Sequence, residues 1–580
     1  MKHSCGEGEL HRRTIILQKM IIPDKASEMY IRGGEISFGR IALKKGEKLT
    51  LDTYFNAFCF TKYRQYTSVE NVSFGISANG SLAIKLMLFD GANEYCVTKG
   101  EGSLSAKLSE LPENGILYPE ITAIDDCTIM GGEFFSECTP NDISVCVAIC
   151  TYKREEYVLR NINLLRSYNF SYIDKVFVSD NGQTLDCAAL SDEFVSVLPN
   201  KNYGGSGGFT RGLIEANDGG FSHIILMDDD VSFHPETLEQ MTVFVSLLKN
   251  AYINCWFSTG MLPLDQPWVQ YELGAEWDGK KAIVHKHNVD IRDRHILCDN
   301  LINPDVGYGG WWTLLMPVSV TKNGLPYPFF IKFDDVEYGL RKPQDTEIIT
   351  MNGIAVCHEA FDAKKNFVLD YYNLRNELTV NALYGKYGSF GAAKRFLYEV
   401  AKDLCLYRYD VIPLALKAAK DFLSGADFFL ETDEELLNRE LIEAAPKMKK
   451  LSDIPQWNEE MRCDKHKLDK RVSAIMLLTL GGHIIPSFLL KRQVNAVPLS
   501  GTGAKDCFLR KAVIQYQPGS DRGLLTKRSL AKFLKYGVLG CLTALRILLG
   551  FNRVKKELPV SKGKITSFDF WRAHLGISQE

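Results

Sequence analysis

The spacing of hydrophobic and polar positions changes along the chain, and its first part has a period of two. Apolar and polar residues alternate within residues 35–43, 49–55 and 81–89, and glycine or asparagine separates the runs. Such alternation is typical of strands with one buried face. Residues 1–140 are therefore predicted to form an antiparallel β-sandwich or barrel.

Between residues 141 and 385, short apolar runs alternate with helical spacing. The predicted strands are residues 143–150, 175–179, 194–198 and 223–227, and the predicted helices are residues 155–167 and 208–217. Nearly continuous apolar strands separated by helices indicate a mainly parallel sheet that helices cover.

From residue 386 onward the spacing is helical, within residues 392–409, 413–423 and 434–444. The polar residues 448–470 are interpreted as a linker or an exposed connection. Residues 472–490 carry no formal charge, but Gly481, Gly482 and Pro486 interrupt them. A buried strand and turn or a short helix is therefore favoured over a membrane span.

Composition excludes several classes of protein. The 580 residues are 46% hydrophobic, so extensive disorder is excluded. The 68 basic and 71 acidic residues nearly cancel, which argues against a nucleic-acid partner. The polar N-terminus does not read as a signal peptide, and fifteen scattered cysteines without a CxxC pair indicate reduced thiols in the cytosol.

Three consecutive aspartates follow the predicted strand at 223–227. Asp228, Asp229 and Asp230 repel one another unless a cation compensates, and residues i and i+2 of an extended chain point the same way. Asp228 and Asp230 are therefore predicted to share Mg²⁺ or Mn²⁺, which oxygen ligands suit. The alternative is a solvated acidic turn.

A glycine-rich segment, NYGGSGGFTR at residues 202–211, lies between the third predicted strand and a helix. Its glycines could let the backbone approach a ligand, and the following helix N-terminus favours an anion. The spacing is neither that of a P-loop nor that of a dinucleotide-binding fingerprint. The alternative is a plain turn.

Two further acids follow an apolar run at residues 328–333. One of Asp334 and Asp335 could act as a general base at a sugar hydroxyl, although a helix N-terminus with acids in its first turn explains them equally well. His358 ends another predicted strand and is a candidate third ligand for the cation. Cys357 and the pair His285 and His287 are interpreted as structural and solvated, respectively.

These motifs together resemble the GT-A glycosyltransferases of family 2, and specifically the bacterial galactofuranosyltransferases of the mycobacterial galactan-polymerase type. The segments that carry the resemblance extend over about 225 residues in the family's order: TYKR at 151–154, Asp180, NYGGSGGFTR at 202–211, MDDD at 227–230, GWWT at 310–313, FIKFDDVEYGLR at 330–341, His358 and YNLRN at 372–376.

The resemblance implies a fold and a reaction. The fold would be an N-terminal β-sandwich (1–140), a central α/β GT-A domain (141–385) and a C-terminal α-helical region (386–580). The reaction would be an inverting transfer of galactofuranose from UDP-galactofuranose to a glycan acceptor, which is often lipid-linked. The family also implies homo-oligomers and a role in polysaccharide and cell-wall synthesis.

The resemblance also assigns roles to individual residues. Asp228, Asp230 and His358 would hold a divalent cation, Mn²⁺ or Mg²⁺. Asp334 would be the catalytic base. Donor binding would fall to Thr151, Arg154, Asp180, Asn202 and Asp229. Acceptor binding would fall to Trp311, Trp312, Asp335 and Glu276.

The sequence departs from the family at two of these positions. Phe333 stands where the family has tryptophan, and Glu276 fits the acceptor-side glutamate only with a shift of one residue. Two alternatives stay open: a transferase for another nucleotide sugar such as dTDP-rhamnose, and an inactive carbohydrate-binding protein.

The basic C-terminal stretch is the candidate for membrane contact. Residues 521–564 contain 11 lysines and arginines, and residues 532–549 have an apolar face with helical spacing. Such a helix can lie on an anionic membrane surface, or it can pack on the central domain. The expected location is the cytoplasm, and if this helix lies on the membrane, the protein would be peripheral on its inner face.

Overall fold

The structure is a computed structural model, and it describes residues 12–577 except 26, 360–365, 456, 459–474, 477, 501 and 502. The chain divides into two compact units. Unit 1 comprises Met1–Asn200, Gly208–Asn323 and Tyr338–Glu359; unit 2 comprises Lys201–Gly207, Gly324–Glu337 and Ala360–Glu580.

The first part of unit 1 consists of two antiparallel sheets, as the alternating pattern predicts. The strands are β1 (Arg13–Lys19), β2 (Glu35–Ser37), β3 (Arg40–Leu43), β4 (Lys48–Thr50), β5 (Asn71–Asn79), β6 (Leu82–Phe89), β7 (Glu94–Gly100), β8 (Leu104–Lys107), β9 (Ile116–Ala123) and β10 (Cys127–Cys138). One sheet has the order β2-β3-β10-β5-β8 with β1 paired to β10, and the other has the order β4-β9-β6-β7. Helix α1 (Phe60–Tyr66) lies between β4 and β5 in sequence.

The predicted parallel strands form one half of a seven-stranded mixed sheet. Its strands are β11 (Val145–Thr151), β12 (Ile173–Asp180), β13 (Val195–Pro199), β14 (His223–Asp228), β15 (Trp256–Ser258), β21 (Thr313–Pro317) and β22 (Ile348–Ile349). The order is β13-β12-β11-β14-β21-β15-β22, and the first four strands are parallel. β21 runs antiparallel to β14, so the strand direction reverses there.

The remaining strands of unit 1 form three two-stranded sheets. The pairs are β16 (Gly260–Pro263) with β23 (Ala355–His358), β17 (Val269–Gln270) with β20 (Val289–Asp290), and β18 (Ala275–Trp277) with β19 (Ala282–Val284). Besides α1, helices with residues in unit 1 include α2 (Glu155–Ser167), α3 (Cys187–Leu190), α4 (Gly204–Asp218), α5 (Pro235–Ser246) and α6 (Arg294–Asn300).

Unit 2 is mainly helical up to residue 444. Its helices begin with α7 (Asp334–Gly339) and continue with α8 (Phe367–Tyr384), α9 (Ser389–Cys405), α10 (Ile412–Leu423), α11 (Ala426–Glu431), α12 (Glu434–Ala444), α13 (Ala504–Cys507), α14 (Leu530–Ile565) and α15 (Phe568–Leu575). Helices α4 and α7 contain residues that the division assigns to both units. The long helix α14 packs on α8, α9, α10 and α11.

The C-terminal region is not helical throughout, which corrects the prediction for 386–580. A four-stranded sheet with the order β24-β27-β26-β25 contains β24 (Lys449–Lys450), β25 (Asn495–Pro498), β26 (Ala512–Tyr516) and β27 (Arg522–Lys527). These strands have only two to six residues, too few for a clear period, so local spacing does not reveal them. β26 and β27 form a short hairpin, whereas β24 pairs with β27 far along the chain. Most of the predicted linker 448–470 lies outside the described residues.

Among the described residues, one helix is long and apolar enough to cross a membrane by length and composition. That helix is α14, whose most apolar 18-residue stretch is only 17% buried. The described part of residues 472–490 contains a few helical residues, turns and a short 3₁₀ segment, Ser487–Leu489, in agreement with the interruption by glycines. The predicted burial is wrong, because most of its large apolar side chains are exposed.

Candidate active site

Three adjacent parallel strands end in predicted site residues of unit 1. β12 ends at Asp180, β11 at Thr151 and β14 at Asp228, and Thr151 pairs in register with Asp180. The carboxyl ends of strands in an open α/β sheet are the usual place for ligands. The fold therefore brings these residues to one edge of the central sheet.

Asp228, Asp230 and His358 form a group that could hold a metal ion. One ligand atom from each lies within 4.8 Å of the other two. His358 Nε2 is 3.3 Å from Asp230 Oδ1, and both side chains are more than nine-tenths buried. β14 supplies Asp228, the turn after it supplies Asp230, and the end of β23 supplies His358.

The ring of His358 is oriented for this role. Its Nδ1 lies 2.6 Å from the backbone carbonyl oxygen of Glu359, and a carbonyl can only accept, so the proton belongs on Nδ1. The lone pair of Nε2 then faces Asp230. Histidines that bind metal ions usually donate their other ring N–H to a carbonyl or carboxylate oxygen in this way.

The turn that carries Asp230 is held by hydrogen bonds. The carboxylate of Asp229 accepts from the Thr151 hydroxyl at 2.7 Å and from Arg154 Nη1 at 3.0 Å. Asn161 Nδ2 donates to the carbonyl oxygen of Asp229 at 2.8 Å. Burial raises the pKa of Asp229, whereas Arg154 and Thr151 act in the opposite direction. Asp229 thus holds the turn in shape.

The residues of this group fit a hard divalent cation. Octahedral Mg²⁺ has ligands at about 2.1 Å, so neighbouring ligand atoms are separated by about 3 Å and opposite ones by about 4 Å. The separations among Asp228, Asp230 and His358 fall within 4.8 Å. Two carboxylates with an imidazole also suit Mn²⁺. Arg154 Nη1 is 2.7 Å from Asp230 Oδ2 and supplies positive charge beside the group.

The other predicted donor residues have structural partners. The carboxylate of Asp180 accepts from the backbone N–H groups of Gly182, Thr184 and Leu185 at 2.8–3.0 Å. Asn202 lies in unit 2, is 8% exposed, and its Oδ1 is 3.3 Å from the Gly204 amide. Their role in donor binding stays a prediction.

The predicted acceptor residues of unit 1 lie close to β21 and in the β18–β19 hairpin. Trp311 and Trp312 directly precede β21, and the Trp312 carbonyl accepts from the Asp228 amide at 3.1 Å. Both indoles are buried, at 5% and 8% exposed, and Trp311 packs edge-on against Phe209. Glu276 lies half-buried in β18. Their contacts with sugar stay predictions.

Asp334 and Asp335 lie in unit 2 at the beginning of α7. Ser206 Oγ donates to Asp334 Oδ2 at 3.1 Å. Burial raises the pKa of Asp334, and the Ser206 hydroxyl opposes that rise. Burial and the neighbouring Asp334 raise the pKa of Asp335. Both acids therefore hold their protons to higher pH than ordinary aspartates do.

The backbone before Asp334 is strained. Phe330, Lys332 and Phe333 have φ values of +68°, +68° and +69°. Left-handed backbone is uncommon for residues with a side chain and costs about 1–3 kcal/mol each when the surroundings impose it. Such strain is characteristic of functional loops.

The glycine-rich segment is the first part of a helix, which corrects its interpretation as a loop or turn. α4 begins at Gly204, four residues before the predicted start. A Cβ on Gly204 would lie 2.6 Å from the Phe330 carbonyl carbon, and one on Gly208 would lie 2.9 Å from Cys150 Cβ. At these positions the glycines make room for protein neighbours. The low helix propensity of glycine concealed the helix start.

Sequence reasoning assigned no role to several residues that shape these sites. Asn161 holds the turn after β14, Ser206 contacts Asp334, and Arg375 and Asn376 bind the strained loop. Asn161 had a signal, because it interrupts the apolar face of α2 that contains Val158, Ile162 and Leu165.

The minor candidates have structural explanations. Burial raises the pKa of Cys357 to about 11, so its thiol stays protonated near neutral pH. His287 Nδ1 contacts the Tyr271 carbonyl oxygen at 2.6 Å. Within the part of the chain that the structure describes, neither His285 nor His287 belongs to a group of metal ligands.

Two aspartates and a histidine thus lie at the carboxyl edge of an α/β sheet, which is the usual place for a ligand in such sheets. Residues 146–256 match the model of the family "Glycosyl transferase family 2". The protein is therefore a glycosyltransferase that contains a family 2 domain.

Two relatives make the resemblance more specific. The chain is 25% identical over 436 residues to galactofuranosyltransferase GlfT2 of Mycobacterium tuberculosis, covering 67% of each chain. It is 24% identical over 475 residues to galactofuranosyltransferase GlfT2 of Mycolicibacterium smegmatis, covering 73% of each chain. The match to mycobacterial galactofuranosyltransferases confirms the resemblance predicted from the motifs.

Two solved structures also show partial similarity. A mannosyltransferase of Pyrobaculum calidifontis in complex with GDP-Man and Mn²⁺ covers 53% of this chain and 82% of its own, at 11% identity and a TM-score of 0.30. A mannosyl-3-phosphoglycerate synthase of Rubrobacter xylanophilus covers 42% and 76%, at 11% identity and a TM-score of 0.27. These scores are too low to inform the function of this chain.

Proposed function

We propose that this glycosyltransferase is a metal-dependent, inverting enzyme that transfers galactofuranose from UDP-galactofuranose to a glycan acceptor of a cell-surface polysaccharide. The observation that carries the proposal is the buried group of Asp228, Asp230 and His358 at the carboxyl edge of the central sheet. The galactofuranosyltransferase activity of both relatives supports the choice of sugar.

The proposal gives the residues of unit 1 a role in binding the donor. Asp228, Asp230 and His358 would hold Mn²⁺ or Mg²⁺, and the cation would supply positive charge for the diphosphate of the donor. The guanidinium of Arg154, which is 42% exposed, suits a second contact with phosphate. Thr151, Asp180 and Asp229 are the other proposed donor contacts of unit 1, and Asn202, in unit 2, keeps its predicted role in donor binding.

The proposal gives Asp334 the role of general base. Its carboxylate takes the proton of the acceptor hydroxyl while that oxygen bonds to the anomeric carbon of the donor. The bond between the anomeric carbon and the β-phosphate oxygen breaks on the opposite face, and UDP leaves with the bonding electrons. This single displacement inverts the anomeric centre. Asp335, Trp311, Trp312 and Glu276 are the proposed acceptor contacts.

The test is UDP release by the purified full chain with UDP-galactofuranose, UDP-galactopyranose and dTDP-rhamnose, each with a short galactofuranoside acceptor. We expect release from UDP-galactofuranose alone, with Mn²⁺ and not with EDTA. Asp228→Asn should abolish it, and Asp218→Asn, at the exposed end of α4, should not. Release from another donor would refute the assignment of galactofuranose as the transferred sugar. Turnover in the presence of EDTA would refute the role of the metal.

We also propose that the N-terminal sheets form an accessory β-sandwich.

We further propose that unit 2 contacts a membrane from the cytoplasmic side. Helix α14 buries Gly540, Ala544, Ile547 and Phe551 against the rest of unit 2. A Cβ on Gly540 would lie 2.9 Å from Val400 Cγ1. A helix packed so closely along one side is suited to lie on a membrane rather than to cross it.

The other side of α14 is the proposed membrane face. Five side chains on it are 50–75% exposed: Leu534, Val538, Leu542, Leu545 and Leu549. Lys535, Arg546 and Arg553 follow one border of this apolar stripe at helical spacing. An apolar stripe bordered by basic residues matches the chemistry of an anionic lipid surface, where each basic residue contributes about 1 kcal/mol.

Co-sedimentation with vesicles tests this contact. The full chain should sediment with phosphatidylcholine vesicles that contain phosphatidylserine, and less so in high salt. Leu542→Glu combined with Leu549→Glu should abolish binding, whereas Leu436→Glu, on the exposed side of α12, should not. Binding that survives the double substitution would refute the proposal. A dimer that the same substitutions dissolve would identify a second copy as the occupant of this face.

A further inference from the structure

The strained loop Phe330–Phe333 is held by one buried amide from α8. Asn376 Nδ2 donates to the carbonyl oxygens of Lys332 at 2.8 Å and Ile331 at 3.0 Å, with a longer contact of 3.3 Å to that of Phe329. Asn376 is fully buried. A single side chain thus satisfies consecutive carbonyls of a backbone that is unfavourable on its own.

Arg375 fixes the orientation of that amide. Its Nε donates to Asn376 Oδ1 at 2.8 Å, so Nδ2 must face the loop. Its Nη2 donates to the Phe329 carbonyl at 2.8 Å. The guanidinium is fully buried and lies 5.0–5.6 Å from the rings of four aromatic residues, which stabilise the cation: Tyr371, Tyr372, Phe428 and Phe429.

Ser206 joins the same loop from the first turn of α4. Its backbone amide donates to the Phe330 carbonyl at 3.3 Å, and its hydroxyl donates to Asp334 Oδ2 at 3.1 Å. The serine is fully buried. Residues of α8 and Ser206 of α4 therefore both bind the loop that leads into Asp334, and the Ser206 hydroxyl also binds the Asp334 carboxylate.

We propose that Ser206, Arg375 and Asn376 are positioning residues, which hold the strained loop and the Asp334 carboxylate in the geometry for accepting a proton. The proposal rests on the role of Asp334 as the base. It also gives a function to two sequence motifs, NYGGSGGFTR and YNLRN, through contacts with a third.

The groups around Asp334 determine how its pKa should change when the hydrogen bond from Ser206 is lost. Burial disfavours the ionised carboxylate and raises its pKa, whereas the backbone amides of Asp334 and Asp335 and the charge of Lys332 favour it. The Ser206 hydroxyl bonds to the ionised form and favours it too. Without that hydroxyl, Asp334 should need a higher pH to lose its proton.

The experiment compares Ser206→Ala with Ser246→Ala in the full chain. Ser246 is equally buried, and its hydroxyl donates to a backbone carbonyl in α5. In Ser206→Ala we expect kcat to fall about tenfold and the acidic limb of kcat/KM to move to higher pH, with the KM for donor unchanged. Ser246→Ala should show neither effect, and Ser206→Thr should restore both.

A second variant addresses the loop. Asn376→Asp keeps the volume but replaces the donor by an acceptor that faces carbonyl oxygens, so kcat should fall about 100-fold at unchanged donor KM. An unmoved acidic limb in Ser206→Ala, or the same shift in Ser246→Ala, would overturn the proposal. Turnover that survives in Asp334→Asn would instead refute the base, and with it the proposed function.

Discussion

Gly204→Ala is the most direct test of how tightly the loop before Asp334 is held. Gly204 has φ +65°, and its missing Cβ would lie 2.6 Å from the Phe330 carbonyl carbon and closer still to the oxygen. Ordinary contact begins near 3.4 Å, so the Phe330 backbone or the first turn of α4 must move by about 0.8 Å or more.

Two costs add in this variant. Left-handed backbone costs alanine about 1–2 kcal/mol. Overpacking against a backbone that cannot retreat costs about 1–3 kcal/mol more. Because Asn376 and Ser206 bind the same loop, we expect the free energy of unfolding to fall by about 2–5 kcal/mol. The displacement of Asp334 should lower kcat about 100-fold.

Gly220→Ala is the matched control. Gly220 lies two residues after the end of α4. It has φ +70°, and a Cβ there would meet nothing within 4 Å. The free energy of unfolding of Gly220→Ala should fall only by the cost of left-handed backbone, and its turnover should stay unchanged. Thermal unfolding and initial rates of UDP release measure both effects. Equal unfolding temperatures and equal rates in the two variants would show that the loop yields freely and would refute the reasoning.

Three further predictions concern neighbouring features. Asn161→Leu should weaken Mn²⁺ binding about 10- to 100-fold by calorimetry, because the turn after β14 loses its anchor; unchanged affinity would contradict this. The kcat/KM of the wild type should fall as pH falls through the raised pKa of Asp334, and a flat acidic limb would exclude that base. Arg395→Met should cost about 3–5 kcal/mol of stability, because Glu377 stays buried without its partner.

The charge pair of the last prediction also has a pH signature. Arg395 Nε lies 2.8–2.9 Å from both carboxylate oxygens of Glu377, and burial nevertheless raises the pKa of Glu377 to about 7. A carboxyl whose pKa is higher in the folded state stabilises the fold when protonated. Its contribution is therefore lost as pH rises from about 4.5 to 7, and Glu377→Gln should remove that slope from the unfolding curve.

The periodic parts of the fold could be predicted from the sequence, and the irregular parts could not. The strands that end at Thr151, Asp180 and Asp228 are runs of buried residues, so their type and carboxyl-end positions followed from hydrophobic spacing. The sheet β24–β27 was not predicted because its strands have only two to six residues and β24 finds its partner far along the chain. The start of α4 at Gly204 was not predicted, because the close approach of Gly204 to Phe330 overrides the low helix propensity of glycine.

The same distinction applies to the candidate site. Asp228, Asp230 and His358 were identified from chemistry and position in the chain, and the structure places their ligand atoms together. Ser206, Arg375 and Asn376 act through backbone carbonyls and through another residue's carboxylate. Such roles have no composition or spacing of their own, so they required coordinates.

The hydrogen bonds of Asn376 to the loop have a consequence for how this enzyme could diversify. They end on main-chain oxygens of Ile331 and Lys332, which every amino acid possesses. The side chains at these two positions can be exchanged without removing the main-chain support of Asp334. In the proposed mechanism, acceptor preference can therefore be altered at the loop surface, by mutation or by design, while the main-chain contacts that position the proposed base are kept.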